Sequence, residues 1–127
     1  MPLIYVIGDG DNIRQRMEQQ LLYGKLDECK KVSEAITAGM RCVNDVITAR
    51  KGWEVVFCGG DDILVKVCAS DYDPNLIRKA IDEFERCSKS TICFGSASSL
   101  QEAYLNLRRA KSFGVGILVC ETEKSTQ

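Results

Sequence analysis

Hydrophobic and polar residues alternate along the chain in two different periods, and the switches between them predict its elements. Residues 3–8, LIYVIG, form an apolar, β-branched and aromatic run that reads as a buried strand. A shorter amphipathic segment follows over roughly 12–23. From about 25 to 50, Leu26, Cys29, Val32, Ile36, Met40, Val43 and Ile47 recur in steps of three and four, the stripe of a long helix. WEVVFC (53–58) and DILVKVCA (62–69) are strands separated only by the Gly59-Gly60-Asp61 region, a tight hairpin. Asp73 and Pro74 suit the N-cap and first position of a helix that carries Ile77, Ala80, Ile81 and Phe84 on one face. STICFG (90–95) is a further strand. Ser99 and Glu102 have capping-box spacing and open a helix that ends at Gly114. VGILVC (115–120) is the last strand, and residues 122–127 read as a disordered polar tail.

The order β-α(α)-β-β-α-β-α-β predicts an α+β class. Its first part is a ferredoxin-like palm, βαββαβ, and an αβ unit is added at the C-terminus. Residues 1–121 form a single domain, with a mainly antiparallel sheet and helices packed on it. A helical crossover makes the first two strands parallel and leaves the third to slot antiparallel between them. Asp9, at the end of the first strand, and Asp61 and Asp62, at the hairpin, then fall at one sheet edge on neighbouring strands.

Composition narrows the chemistry. The 127 residues carry a formal charge of −1 and 45% apolar residues, enough for a real core but no general attraction for nucleic acid. No direct DNA or RNA binding is expected. No apolar run reaches the ~20 residues of a membrane helix, so a cytoplasmic protein is expected. The seven cysteines include no C-x-x-C pair and lie mostly in apolar runs, so they read as reduced core residues. Histidine is absent, which excludes Ser-His and Cys-His nucleophiles and histidine-held metals.

Either acidic motif alone, GDGDNI (8–13) or CGGDDIL (58–64), reads as a turn. Brought to one edge, they become a patch of carboxylates whose mutual repulsion a cation relieves. All-oxygen ligands suit Mg²⁺ or Mn²⁺. Gly8, Gly10, Gly59 and Gly60 remove side chains where a triphosphate and metal approach the backbone. The helix opening at Asn12–Arg14 offers N–H groups to phosphate. The residues therefore point to metal-dependent phosphoryl or nucleotidyl transfer. A phospho-receiver domain, with Thr91 and Lys111 pressed into its roles, is disfavoured because Asp61 and Asp62 lie between two strands. Read without further context, Lys111 is a helix-end cation, Arg108 and Arg109 belong to a solvated face, and Trp53 and Tyr104 pack.

These motifs resemble the GGDEF/palm superfamily of nucleotidyl cyclases and polymerases. GGDD (59–62) is similar to the signature hairpin, and closer still to the GGDD form in the polymerase-cyclase subunit of type III CRISPR complexes. DGDNI (9–13) resembles the D-x-D element, and STICFGSA (90–97) and AYLNLRRAKSFGVG (103–116) resemble the following strand and helix end. Read as a palm with nothing appended, the chain is nearest the stand-alone minimal CRISPR polymerase family.

The resemblance implies that Asp9, Asp61, Asp62 and the Gly10 carbonyl hold Mg²⁺ or Mn²⁺, and that Asp9, Asp11, Asp61 and Asp62 are catalytic. Asp11 would be a metal ligand or the base that activates the hydroxyl. Gly10, Asn12, Ile13, Arg14, Gly59, Gly60 and Lys111 would bind nucleotide, Lys111 through phosphate. It further implies a cyclic di- or oligonucleotide made from nucleoside triphosphates for prokaryotic anti-phage signalling and read by a separate effector. Two copies facing across a two-fold, a homodimer or higher homo-oligomer, would supply the two half-sites. The chain departs from the diguanylate pattern at Asp62-Ile63 and Val115-Gly116, and Met17 stands where a guanine-reading asparagine is expected. The resemblance therefore favours ATP. The other reading is a non-catalytic nucleotide-binding or sensing palm in a larger complex.

Overall fold

The computed structural model describes residues 2–121, so the polar tail lies outside the described residues. The elements are β1 (Leu3–Gly10), α1 (Ile13–Leu22), α2 (Leu26–Thr48), β2 (Trp53–Gly59), β3 (Asp62–Cys68), α3 (Pro74–Ser88), β4 (Ile92–Ala97), α4 (Leu100–Phe113) and β5 (Leu118–Cys120). The caps expected from sequence form: Asn75 N–H donates to the Asp73 carboxylate and Glu102 N–H to the Ser99 hydroxyl. The five strands lie in the order β2-β3-β1-β4-β5. β3 is antiparallel to both β1 and β2, β4 is antiparallel to β1, and only β4–β5 is parallel. This is the expected ferredoxin-like arrangement with one αβ unit added at the β4 edge.

Helices α2 and α3 cover one face. Val6 of β1, Ile63, Val65 and Val67 of β3 and Phe94 of β4 pack there against Val43, Ile47, Ile77 and Phe84, all fully or almost fully buried. The apolar stripe of α2 is buried only from Val32 onward, while Leu26 is 80% exposed. The opposite face is covered by α4 alone, through a small cluster of Cys93, Leu107 and Ala110. One helix cannot span five strands, so β2 and the outer side of β3 stay open there.

Two expectations are corrected. Cys42 of α2 and Cys87 of α3 form a disulfide, whereas Cys29, Cys58, Cys68, Cys93 and Cys120 are free. Packing of α2 on α3 brings together positions 45 residues apart, which linear spacing cannot show. Tyr104, expected to pack, is 53% exposed, because it lies on the flank of α4 that overlooks the uncovered strands. Trp53 is buried as expected, stacked on Tyr72. Among the described residues, no helix is long and apolar enough to cross a membrane.

Candidate active site at the β1 end and the β2–β3 hairpin

Antiparallel pairing of β1 with β3 places Asp9 opposite Asp62, and Asp61 N-terminal to that rung reaches Gly10, whose N–H donates to the Asp61 carbonyl at 3.0 Å. One carboxylate oxygen from each of Asp9, Asp61 and Asp62 lies within 4.8 Å of the others. The two acidic motifs, some fifty residues apart in sequence, thus form one cluster. Gly60 adopts φ +58°, the left-handed conformation that this hairpin turn requires. A side chain at Gly10 would sit 2.7 Å from Ile13 Cγ1 and 3.1 Å from the Asp61 carboxylate, so glycine there lets Asp61 close over the backbone. The hairpin glycines face open space. Gly8 does not: its missing side chain makes room for the Phe94 ring.

The electrostatics follow from the crowding. Burial and the neighbouring Asp9 charge push Asp61 above the ordinary carboxylate range. Asp62, hydrogen-bonded to Asp9, partly desolvated and beside Asp61, is pushed up to about 6. Three clustered carboxylates, with no nitrogen or sulfur donor among them, fit a hard divalent cation such as Mg²⁺ or Mn²⁺.

The other expected site residues divide. Asp11 does not join the cluster. Its side chain is 3% exposed and accepts from Thr91 Oγ1 at 2.8 Å, Gly116 N–H at 2.9 Å and Lys111 Nζ at 2.8 Å. Burial alone would raise its pKa, but the bonds from Lys111, Gly116 and Thr91 outweigh burial and hold it below the usual carboxylate value. Lys111 also donates to the carbonyls of Asp9 and Gly10, each at 2.8 Å, and pairs with the Asp9 carboxylate at 3.3 Å. Burial lowers its pKa, but the Asp11 hydrogen bond and the Asp11 and Asp9 charges outweigh it and hold the ammonium above its ordinary value. Lys111 thus ties down the Asp9–Asp11 backbone, and the Gly10 carbonyl is already engaged by a cation.

Asn12 caps α1 in a left-handed conformation (φ 56°) without a side-chain cap bond, and the first turn, with Ile13 and Arg14, holds no acidic residue. Its N-terminal N–H groups therefore meet no capping carboxylate. Sequence reasoning missed Thr91 and Gly116 as the holders of Asp11, and Arg16, which donates to Ser88 O and Ser90 Oγ and ties α1 to the end of α3. The pairing of Gly10 with Ile92 was the signal for Thr91, since it sets the residue before β4 beside the residue after β1.

Comparison with known proteins agrees with this fold. The sequence model of the minimal CRISPR polymerase domain matches residues 5–120. A chain of the Csm1–Csm4 cassette crystallised with AMPPNP superposes with a TM-score of 0.72 at 16% identity, covering 91% of this chain and 20% of that one. The active GGEEF domain of a diguanylate cyclase from Vibrio cholerae gives 0.61 at 14% identity, covering 94% and 83%. The GGDEF domain of PA1120 from Pseudomonas aeruginosa gives 0.63 at 14%, covering 93% and 81%. At these identities the solved structures share the fold, and this chain spans about a fifth of the matched cassette chain. No curated protein sequence matches significantly.

Proposed function

The chain belongs to the minimal CRISPR polymerase domain family, and from that premise we propose that it is a metal-dependent nucleotidyltransferase. It joins nucleoside triphosphates, ATP favoured, into a cyclic di- or oligonucleotide. The observation that carries this reading is the convergence of Asp9, Asp61 and Asp62, one carboxylate oxygen each within 4.8 Å, at the open β1–hairpin edge. ATP is favoured because Met17 replaces a guanine-reading asparagine, and because cassettes of the same fold were crystallised with ATP and AMPPNP.

Asp9, Asp61 and Asp62 would hold Mg²⁺ or Mn²⁺, which would supply a lowered pKa for a ribose hydroxyl and charge neutralisation at the α-phosphate. The Gly10 carbonyl, which accepts from Lys111, keeps a second lone pair for that shell. The side-chain-free hairpin at Gly59 and Gly60 lets the triphosphate lie close to the backbone, and the α1 N–H groups around Asn12–Arg14 receive its outer phosphates. The hydroxyl oxygen of a second nucleotide forms the new bond to the α-phosphorus. The α–β phosphoanhydride breaks, pyrophosphate leaves, and the proton passes outward through Asp62, the most exposed of the three carboxylates. Lys111 and Asp11 act from beneath, positioning Asp9 and leaving phosphate to the helix N-terminus. Repeating the step closes the ring, and two copies face to face supply the second half-site. The product would be a diffusible signal read by a separate effector in anti-phage defence, made in the cytoplasm.

The test is to incubate the purified protein with each nucleoside triphosphate and Mg²⁺ or Mn²⁺ and identify products by mass spectrometry and nuclease resistance. A pyrophosphate-releasing cyclic product is expected, lost in Asp61→Ala. No product from any triphosphate, or full activity in Asp61→Ala with a native circular dichroism spectrum, would refute the proposal.

A further inference from the structure

The Cys42–Cys87 disulfide is the one covalent crosslink among the described residues, and neither cysteine belongs to the acidic cluster. It spans 45 residues of sequence and joins the second half of α2 to the last turn of α3. The two helices come close beside it. A Cβ at Gly39, one turn before Cys42, would lie 2.8 Å from Ser88 Cβ and 2.9 Å from the Phe84 ring. Ser88 directly follows Cys87 and is fully buried. Cys42 and Cys87 themselves are half-buried, so the pair is partly accessible to solvent.

The residues after Cys87 support the site. Residues 88–91 run from the end of α3 into β4. Ser88 O and Ser90 Oγ accept from Arg16 Nη1 at 2.7 and 2.6 Å, which fixes α1. Thr91 O accepts from the Asp11 N–H at 2.8 Å, and Thr91 Oγ1 donates to the Asp11 carboxylate. This segment therefore holds the β1–α1 turn at both ends, at Asp11 and at Arg16. Between them lie Asn12, Ile13 and Arg14, whose N–H groups open the helix. The segment has a costly backbone of its own. Lys89 takes φ +61°, a left-handed conformation unfavourable for a residue with a Cβ. Ser88 Oγ steadies it by donating to Phe84 O and accepting from the Ser90 N–H. A tether at Cys87 keeps this last turn of α3 against α2.

We propose that the Cys42–Cys87 pair is a redox latch on triphosphate binding, with Arg16 as the positioning residue that carries its state to the N-terminus of α1. The proposal rests on the reading that α1 receives the outer phosphates. In the oxidised chain the latch holds residues 88–91, Arg16 clamps α1, and the N–H groups of residues 12–14 keep a fixed aim. Opening is thiol–disulfide exchange with a dithiol reductant. One thiolate of the reductant attacks a cysteine sulfur, breaks the Cys42–Cys87 bond and leaves a mixed disulfide. The second thiol of the reductant then displaces that cysteine and closes the reductant's own disulfide. Two electrons pass to the pair, and the two protons of the dithiol end on the Cys42 and Cys87 thiols. Cytoplasmic thiol pools exchange with such pairs, so a disulfide there serves as a reversible switch more often than as a permanent strut. The metal carboxylates are placed by the pairing of β1 with β3, which the latch does not enter, so metal binding is independent of it.

The test uses the full chain, equilibrated in mixtures of oxidised and reduced dithiothreitol and read by thiol alkylation and peptide mass spectrometry. Cys42 and Cys87 should change state together in one two-electron transition. Reduction should lower the melting temperature by about 10 °C, as loss of a crosslink across 45 residues implies. It should weaken binding of AMPPNP with Mg²⁺ about fivefold or more in calorimetry and raise KM for ATP alike, with kcat within about twofold. Mn²⁺ affinity should stay unchanged. Cys42→Ser/Cys87→Ser should match the reduced chain and ignore the buffer. Arg16→Met should weaken AMPPNP binding to the same extent with the disulfide intact. Equal AMPPNP affinity in the oxidised and reduced chains overturns the latch and leaves the nucleotidyltransferase reading standing. A redox response that persists in the double serine variant, unaltered affinity in Arg16→Met, or a pair that stays reduced in every mixture does the same. AMPPNP binding to neither form removes the nucleotidyl-transfer reading and the latch with it.

Discussion

Replacing Lys111 by methionine separates a phosphate-binding lysine from one that holds the site together. Lys111 and Asp11 form a pair whose side chains are 19% and 3% exposed, with Nζ 2.8 Å from the carboxylate. Removing one partner of a fully buried pair costs about 3–5 kcal/mol, because the remaining charge is stranded. Asp11 keeps its bonds from Thr91 and Gly116, which puts Lys111→Met at the lower end, about 3 kcal/mol. With an unfolding entropy of roughly 2.1 cal/mol/K per residue, 127 residues give about 270 cal/mol/K, so the melting temperature falls by about 11 °C. Asp11→Asn alone costs less, about 1–2 kcal/mol, since Lys111 retains Asp9 and two carbonyls. The double variant Asp11→Asn/Lys111→Met strands no charge, so it should be more stable than the sum of the single losses by about 1–2 kcal/mol.

The assay is urea unfolding of all four proteins at pH 7.5 in EDTA, with thermal melts in parallel. A Lys111→Met loss below about 1 kcal/mol, or strictly additive single effects, would refute the structural role. The lysine would then be free for phosphate. The pair also sets a pH signature. Asp11 is held below its ordinary value of 3.8, so its contribution is present above that value and lost as pH falls through the lower folded value. Asp11→Asn should therefore flatten the acid limb of stability.

Other outcomes follow from the same geometry. Asp62 is raised from 3.8 to about 6, so its stabilisation is present below 3.8 and lost as pH rises through about 6. Solvent screening of this exposed side chain limits the effect to about 1 kcal/mol. Metal-free protein should accordingly melt lower at pH 7.5 than at pH 5, and Asp62→Asn should abolish that difference in thermal melts with EDTA. Adding Mg²⁺ or Mn²⁺ at pH 7.5 should raise the wild-type melting temperature by several degrees but leave Asp61→Asn unmoved, as differential scanning fluorimetry would read. Gly10→Ala sets a methyl 2.7 Å from Ile13 Cγ1 and 3.1 Å from the Asp61 carboxylate. It should cost about 1–3 kcal/mol in stability and weaken metal binding, measurable by Mn²⁺ titration.

The sequence by itself determined the elements and their order, because periodicity and caps are local. Asp73 and Ser99 cap where their spacing says, and the α2 stripe from Val32 to Ile47 is buried. The strand order followed from the split βαβ pattern, and with it the meeting of Asp9 with Asp61 and Asp62, since pairing rules convert strand order into proximity. Which carboxylates face the cluster was a tertiary decision. Asp9 and Asp11 look equivalent in D-x-D, but Asp9 ends a strand while Asp11 lies beyond it, where Thr91, Gly116 and Lys111 enclose it. Those partners come from residues 80 to 105 positions away, a separation that no local pattern encodes. The Cys42–Cys87 disulfide and the exposure of Tyr104 likewise depended on how α2, α3 and α4 lie on the sheet.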